Sequence, residues 1–523
     1  MSSLSASCPS RHAATGSWAR SLLMGFAAAG LWVGGKAHAA FDLDTLAERA
    51  RALAATPYRA PETSTNSRLA ALGYDDYRAI RFRPQAAWWR KAGLPFELQF
   101  FHVGGGYTRA VRVNELVQGR EQPLLVPTSA FDYGAAAPAV AGQVHAEVAG
   151  FRVHYALNRP GYKDEFIVFL GASYLRAVGA DQHYGTSARG VAIDTVGGTG
   201  EEFPAFEAFW IERPVRGART LTVYALLNGP RITGAYRFVL QPGSATEISV
   251  QAKLYLRGAV TTLGIAPLTS MFLGGENQPQ PLQALGDFRP EVHDADGLQI
   301  ETGDGEWLWR PLLNPPRPFT TSFAVQRLRG FGLMQRDRAF ASYEDPEARY
   351  DHRPSVWIRP QGDWGPGRVE LMQFHTPDET NDNVVAYWVP AQLPAAGQPL
   401  ALAYTMHWQG QAQQQPPHGR VLQSRLGRGL EKPQAGELQF HIDYAGGALD
   451  ALSAAAAPQA FVTSSDNARV LLANVYRNPA TKGWRLNLKV QRLDAQQPLE
   501  LRALLKDGAN VLTETWTYAL PPE

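Results

Sequence analysis

Cysteine is almost absent from this chain. The 523 residues contain one cysteine, Cys8, and it lies within the first forty residues. If that segment is removed, the remaining protein has no thiol. A chain without thiols has no disulfide, no cysteine nucleophile and no cysteine-ligated metal, and its composition suits an oxidising compartment.

Excess charge and long apolar runs are also lacking. Lys and Arg number 50 against 48 Asp and Glu, and without the first forty residues the balance becomes 47 to 48. A nucleic-acid-binding protein normally carries a basic excess, so we predict no nucleic-acid partner. After residue 40 no apolar stretch reaches the roughly 18 residues of a membrane span, so none is predicted.

The first forty residues have the three parts of a secretory signal peptide. Arg11 and Arg20 provide positive charge, residues 21–33 form an uncharged apolar run, and Ala37-His38-Ala39 offers the small-x-small pattern of a cleavage site. We predict that residues 1–40 are a cleaved signal peptide and that the protein is exported to the bacterial envelope. No twin-arginine pair precedes the apolar run, which favours export in an unfolded state.

Beyond the signal, the sequence predicts an all-β fold. Only residues 43–55 have clear helical spacing, with a possible short turn at residues 74–80, whereas stretches such as residues 221–225 and 247–254 alternate apolar and polar residues. With 49 Gly and 37 Pro between short runs, this pattern is typical of antiparallel sandwiches. The Pro-rich residues 390–399 indicate a boundary. We therefore predict an N-terminal β-sandwich domain over residues 41–392 and an immunoglobulin-like sandwich over residues 393–523.

Familiar catalytic and cofactor motifs are missing. Residues 185–190 do not fit G-x-S-x-G, and the sequence has no phosphate-binding G-x-x-x-x-G-K-[ST] and no H-E-x-x-H. The segment that begins at Asp294 starts like a calcium loop, but its later ligands are misplaced. We predict no metal and no cofactor.

A dense set of polar and aromatic residues lies between Gly171 and Trp388. Its last part, residues 377–383, holds five Asp, Glu or Asn side chains directly before a hydrophobic strand. Carboxylates and amides in this position suit sugar hydroxyls and acid–base work. A solvated acidic turn explains the composition of this segment equally well.

Several longer strings resemble the family of periplasmic glucans biosynthesis proteins G and D. The resemblance covers nearly the whole chain after residue 40, and it is carried by EEFPAFEAFWIERP, LGIAPLTSMFL, FRPEVHD, GEWLWRPL, DETNDNVVAYW and TKGWRLNL. It implies a large cleft-bearing sandwich joined to an immunoglobulin-like sandwich. Because D-type members usually carry a twin-arginine signal, its absence favours the G branch.

The resemblance also implies an activity. Members are endo-acting, anomer-inverting β-1,2-glucanases, and at least one relative is a transglycosylase. The family's general acid matches Asp382 of DETNDN and its general base matches Asp294 of FRPEVHD. Direct attack by water and a longer proton relay are both compatible with the sequence.

The partners follow from the same resemblance. Linear β-1,2-glucan is the expected substrate, made by a membrane glucosyltransferase that is itself a candidate partner, and a homodimer is a further candidate assembly. A transglycosylase that makes branched or cyclic glucan and a non-catalytic glucan-binding scaffold are the alternatives. Eight side chains are candidate sugar-binding residues, of which about half could instead be core residues: Tyr174, Tyr184, Arg189, Glu306, Trp307, Trp309, Arg310 and Glu379.

Overall fold

The computed structural model of this chain describes residues 40–61, 67–278, 282–427, 432, 434–453 and 455–523. Residues 1–39, which include Cys8 and all but the last residue of the predicted signal peptide, lie outside the described residues, and the signal peptide stays a prediction. In the described part of the chain, no helix has the length and apolar character needed to cross a membrane.

The prediction of an all-β fold is confirmed. About 47% of the residues are in strands and 9% in helices. The alternation that predicted strands corresponds to alternating burial. Along Trp484–Arg492, for example, every second side chain is buried and the others are half-buried, as expected for a strand with one face on the core.

One helix, Leu43–Ala54, packs against the outer face of the larger, fifteen-stranded sheet that is described below. The Asp42 side chain caps it by accepting a hydrogen bond from the Thr45 N–H at 2.8 Å. Leu46, Ala47 and Ala50 face inward and are buried, and the helix contacts strand Ile232–Gln241. The other helices are short: Ser67–Ala70, Tyr74–Ala79, and the 3₁₀ turns Pro84–Ala86, Thr128–Ala130, Gly134–Val140, Leu282–Leu285, Phe340–Ser342, Tyr350–His352 and Gly447–Leu449.

Two large sheets enclose the main core. The ten-stranded sheet runs in the order Glu97–His102, Val148–Tyr155, Asp164–Leu170, Tyr174–Ala177, Ser187–Arg189, Leu263–Ser270, Val384–Pro390, Gly367–Gln373 and Phe319–Val325, with Val191–Ile193 also paired to Leu263–Ser270. Rings from the two sheets meet in this core. Phe151 of the ten-stranded sheet lies edge-on to Phe209 of the larger sheet, 5.0 Å between ring centroids.

The larger sheet has fifteen strands. Its order is Gln459–Ser464, Leu499–Asp507, Thr515–Leu520, Trp307–Pro311, Gly297–Thr302, Leu328–Met334, Ser355–Pro360, Pro399–Gln409, Thr246–Leu256, Ile232–Gln241, Leu221–Asn228, Ala205–Glu212, Arg112–Val117 and Arg120–Pro123, with Asn510–Val511 paired to Leu499–Asp507. Two small sheets pair Arg81–Phe82 with Phe131–Asp132 and Phe272–Gly274 with Val292–His293.

A second core lies at the C-terminal end. A four-stranded sheet packs there against strands Leu499–Asp507 and Thr515–Leu520, at one end of the fifteen-stranded sheet. Its strands, in order, are Arg420–Leu426, Glu437–Ala445, Trp484–Arg492 and Ala468–Arg477. The contact includes Phe440 against Tyr518, with ring centroids 4.8 Å apart. Strand Pro399–Gln409 pairs with both Thr246–Leu256 and Ser355–Pro360, so the large sheet continues past the predicted boundary. The division of the chain at residue 392 stays a prediction.

Candidate active site

The position of Asp382 is fixed by the hydrogen bonds of its neighbour, Asn383. The Asn383 N–H donates to the Ser270 carbonyl at 3.1 Å. Its side chain accepts from the Phe272 N–H at 2.8 Å and donates to the Phe272 and Phe374 carbonyls at 3.0 and 2.9 Å. This buried amide therefore fixes the turn that presents Asp382 at the start of strand Val384–Pro390.

Asp294 is held by the same segment. It follows strand Val292–His293, which pairs with Phe272–Gly274, and its N–H donates to the Met271 carbonyl at 2.9 Å. Residues 270–272 thus anchor both Asp382 and Asp294, although the two carboxylates come from distant parts of the chain. The structure brings the two predicted catalytic residues together.

Asp294 is a buried carboxylate with a cationic partner. It is only 5% exposed, and Arg353 Nη1 lies 2.6 Å from its Oδ1. Burial raises the pKa of Asp294 to about 6, the nearby charge of Asp382 adds to the increase, and Arg353 opposes it. A carboxylate with this pKa changes protonation state close to neutral pH.

Asp382 faces an open cleft with a volume of about 550 Å³. Arg176 Nη2 lies 3.4 Å from Asp382 Oδ2, and the Asp382 side chain is 28% exposed. Tyr174, Tyr184 and Arg176 line the cleft with it, so the wall offers aromatic faces together with hydrogen-bonding groups. Such a surface suits a sugar, which has apolar faces and polar edges.

A chain of contacts links the two carboxylate loops. Arg353 stacks over the ring of Tyr350 at 4.5 Å, and the Tyr350 hydroxyl donates to Glu379 Oε2 at 2.8 Å. Arg289 Nη1 lies 2.5 Å from the same oxygen. Burial and the bond to Glu379 raise the pKa of Tyr350, so the hydroxyl keeps its proton. Glu379 thereby connects the loop of Asp382 to the partner of Asp294.

His293, which directly precedes Asp294, is held in place through both of its ring nitrogens. Its Nε2 lies 3.0 Å from Glu291 Oε2 and its Nδ1 lies 2.9 Å from Gln335 Oε1. Burial alone would lower the pKa of His293, but the bond to Glu291 and its charge raise it. The ring also stacks on Phe272, with centroids 5.2 Å apart. This packing fixes the backbone that carries Asp294.

The predicted sugar-binding residues fall into two groups. Tyr174 and Tyr184 line the cleft, and Glu379 lies on the loop beside Asp382. Arg189 is only 2% exposed and lies beneath Tyr174, so it supports the wall rather than forming its surface.

The other group does not line the cleft. Trp307 and Trp309 belong to the second core, where Trp307 stacks on Trp357 with centroids 5.7 Å apart. Arg310 is buried and its Nε donates to the Thr517 hydroxyl at 2.9 Å, and Arg502 Nη2 donates to Glu306 at 2.6 Å. None of these four residues lines the cleft of Asp382. Trp307 packs within the second core, and Arg310 and Glu306 bond to residues of strands Thr515–Leu520 and Leu499–Asp507.

Sequence reasoning missed several residues of the candidate site. Arg176 lies two positions after Tyr174 on strand Tyr174–Ala177, and the two-residue period of a strand places both on one face. That spacing was a usable signal. Glu165, which lines the cleft, and Arg353 gave no local signal, because each is brought in by tertiary structure.

No group of three or more His, Cys, Asp or Glu in the described residues is arranged to hold a metal ion. The residues that line the cleft supply carboxylates, guanidinium groups and tyrosine hydroxyls.

Comparison with known proteins gives a consistent result. Residues 41–520 match the family model described as "Periplasmic glucan biosynthesis protein, MdoG". Among the relatives, "Glucans biosynthesis protein G" of Ralstonia nicotianae is 49% identical over 492 residues, covering 92% of this chain and 96% of the relative. The proteins of that name from Pseudomonas aeruginosa and Dickeya dadantii are 44% and 43% identical, covering 97% and 92% of this chain and 96% and 93% of the relatives. The resemblance inferred from the motifs is confirmed.

Proposed function

Because this chain belongs to the periplasmic glucan biosynthesis protein family, MdoG, we propose that it hydrolyses internal bonds of linear β-1,2-glucan in the periplasm. Membership of the family ties the chain to glucan biosynthesis. The proposed reaction trims the backbone that a membrane glucosyltransferase makes, and it proceeds with inversion at the anomeric carbon.

The observation that carries the proposal is the common anchoring of Asp294 and Asp382 by residues 270–272. An inverting glycosidase needs one carboxylic acid and one carboxylate on opposite sides of the bond, typically about 6.5–9.5 Å apart. Two loops tied to consecutive residues of one segment hold two such groups at a fixed separation. Asp382 lines the cleft, whereas Asp294 is buried.

In this reaction Asp382 gives its proton to the glycosidic oxygen as the bond between that oxygen and C1 breaks. Asp294 accepts a proton from the attacking water, which forms the new bond to C1 from the opposite face. The products are two shorter glucans, and the new reducing end has the α configuration. The enzyme then exchanges protons with solvent to restore both groups.

The burial of Asp294 favours a relayed proton transfer over direct attack. Asp294 is 5% exposed and is not among the residues that line the cleft. A water molecule or a sugar hydroxyl between the attacking water and Asp294 would carry the proton. A pKa of about 6 leaves Asp294 ionised, and so able to accept it, at neutral pH.

The test is incubation of the purified protein with linear β-1,2-glucan, with products examined by mass spectrometry. We expect shorter linear chains from the wild type and none from Asp382→Asn. A matched control is Asp363→Asn, which replaces an exposed carboxylate outside the cleft and should keep full activity. Products that lack one water would indicate cyclisation instead of hydrolysis. An unchanged substrate would favour a glucan-binding scaffold.

A further inference from the structure

An apolar pocket lies apart from the cleft of Asp382 and has a volume of about 370 Å³. This volume is within the range of small-molecule sites. Among the described residues, none lines both the pocket and that cleft. Four aromatic side chains line the pocket: Phe82, Trp88, Trp89 and Phe100. The proposed cleavage of glucan gives this pocket no role.

The aromatic walls of the pocket are held in place by packing. Phe82 lies edge-on to Phe131, with ring centroids 5.0 Å apart, and its centroid is 5.8 Å from that of Phe100. Trp88 exchanges two backbone hydrogen bonds with Leu98. Because these contacts form without a ligand, binding does not have to order the walls.

Trp89 has an unusual backbone conformation. Its φ is 69°, in the left-handed region that bulky residues rarely adopt and that is enriched at functional sites. The indole N–H donates to Glu115 Oε1 at 2.7 Å, and the residue is only 5% exposed. This hydrogen bond fixes the ring that lines the pocket.

The walls offer few free hydrogen-bonding groups. The Ala87 N–H donates to the Pro84 carbonyl and the Ala92 N–H to the Trp89 carbonyl, both at 3.1 Å. Gln85 is the one amide side chain among the described lining residues. A sugar would leave hydroxyl groups without partners here, which costs free energy, whereas an alkyl chain would not.

Both charged side chains that line the pocket are basic. They belong to Lys91 and Arg213, and both residues are exposed. Arg213 Nη1 lies 3.2 Å from Glu115 Oε1, so Glu115 offsets the charge of Arg213 and Lys91 leaves the pocket with a net positive charge. Exposed cations beside buried apolar walls complement a ligand with an apolar body and an anionic head.

We propose that this pocket binds an amphiphilic anion, with its alkyl chain against the aromatic walls and its anionic head beside Lys91. The apolar surface continues at Leu125 and Val215, which are 60% and 73% exposed and are close in sequence to the lining residues Val126 and Arg213. A free fatty acid and an anionic membrane lipid both have this chemistry.

The first test measures binding of hexanoate, octanoate and decanoate by calorimetry. Each added methylene that enters the pocket should tighten binding about 4-fold. Octan-1-ol, which has no charge, should bind about 5-fold more weakly than octanoate. Absence of decanoate binding, equal affinity along the series, or equal affinity for octanol and octanoate overturns the proposal.

Three variants locate the binding. Lys91→Gln should weaken octanoate up to about 5-fold and leave octanol unchanged, whereas Lys482→Gln, at an exposed lysine between strands Ala468–Arg477 and Trp484–Arg492, should change neither. Ala86→Phe adds a ring at an exposed lining position and should weaken decanoate more than hexanoate. Thermal unfolding checks that each variant is folded. If folded Ala86→Phe binds decanoate as the wild type does, or if Lys482→Gln loses as much as Lys91→Gln, the assignment to this pocket is wrong.

Sedimentation with vesicles distinguishes the two sources of the anion. Binding to phosphatidylglycerol vesicles but not to phosphatidylcholine vesicles, with a loss in Lys91→Gln and Ala86→Phe, identifies a membrane lipid. Decanoate binding without vesicle binding identifies a free acid. Binding to neither the acid nor the vesicles overturns the proposal.

Discussion

Replacing Asp294 by asparagine should stabilise the fold at neutral pH while removing activity. Folding raises the pKa of this carboxyl from 3.8 to about 6 because the charged form is buried. Each pKa unit corresponds to about 1.4 kcal/mol, so keeping Asp294 ionised costs the native state about 3 kcal/mol. This value already includes the attraction of Arg353, because Arg353 opposes the same shift.

The pH dependence follows from the sign of this shift. At pH values well below 3.8 the carboxyl is protonated in both the folded and the unfolded state, so ionisation costs nothing. Between about pH 4 and pH 6 the unfolded state loses its proton first, and the wild-type free energy of unfolding falls. Above about pH 6 the full cost is present. Asp294→Asn, which resembles the protonated form, avoids it.

The assay is urea unfolding of both proteins at about pH 4 and about pH 8. We expect nearly equal free energies of unfolding at the lower pH and an advantage of up to about 3 kcal/mol for Asp294→Asn at the higher pH. Asp363→Asn, at an exposed site, should show no such gain. A variant that is no more stable than the wild type at about pH 8, or whose advantage is the same at both values, would refute the reasoning.

Four other changes test the same structure. Arg353→Met removes the cation beside Asp294, so the rise of kcat/KM with pH should move upward by about 1–3 pH units; an unmoved profile would contradict the pairing. Gly185→Ala would place a Cβ 2.9 Å from the Arg353 side chain and 3.4 Å from the Asp294 Cβ, so kcat should fall with little change in glucan binding measured by calorimetry. Asn383→Ala removes three side-chain hydrogen bonds and should lower both kcat and the thermal midpoint. An unchanged kcat would show that these hydrogen bonds do not position Asp382. Burial raises the pKa of Glu276 to about 8, with Glu291 adding to it, so this group should lower wild-type stability between about pH 4.5 and pH 8 by on the order of a few kcal/mol. Glu276→Gln should remove this contribution, which thermal unfolding shows most clearly above about pH 6, where the contribution of Asp294 no longer changes.

The fold class was predictable because burial repeats every second residue along the strands. The capped helix at Leu43–Ala54 was predictable for a similar reason, since its apolar spacing and its capping Asp42 are local. Strand Pro399–Gln409 shows the limit of such patterns. Its partners, Thr246–Leu256 and Ser355–Pro360, are far away in the sequence, and no local pattern identifies them.

The candidate site shows the same limit. The resemblance to the family predicted Asp294 and Asp382 as the catalytic pair, and the anchoring of both by one segment became visible only in the structure. Aromatic content alone did not separate stacking surfaces from cores: Tyr174 faces the cleft, whereas Trp309 packs in the second core. Both are aromatic residues of the type that stacks on sugars, and only tertiary packing distinguishes them.

The most direct measurement of the central claim is the anomeric configuration of the first product. Proton NMR during cleavage of linear β-1,2-glucan distinguishes α from β reducing ends before they interconvert. Two carboxylates that act as acid and base predict that the α form appears first and then equilibrates. If the β form appears first, or if no reducing end is released, the assignment of Asp382 and Asp294 as an inverting pair is wrong.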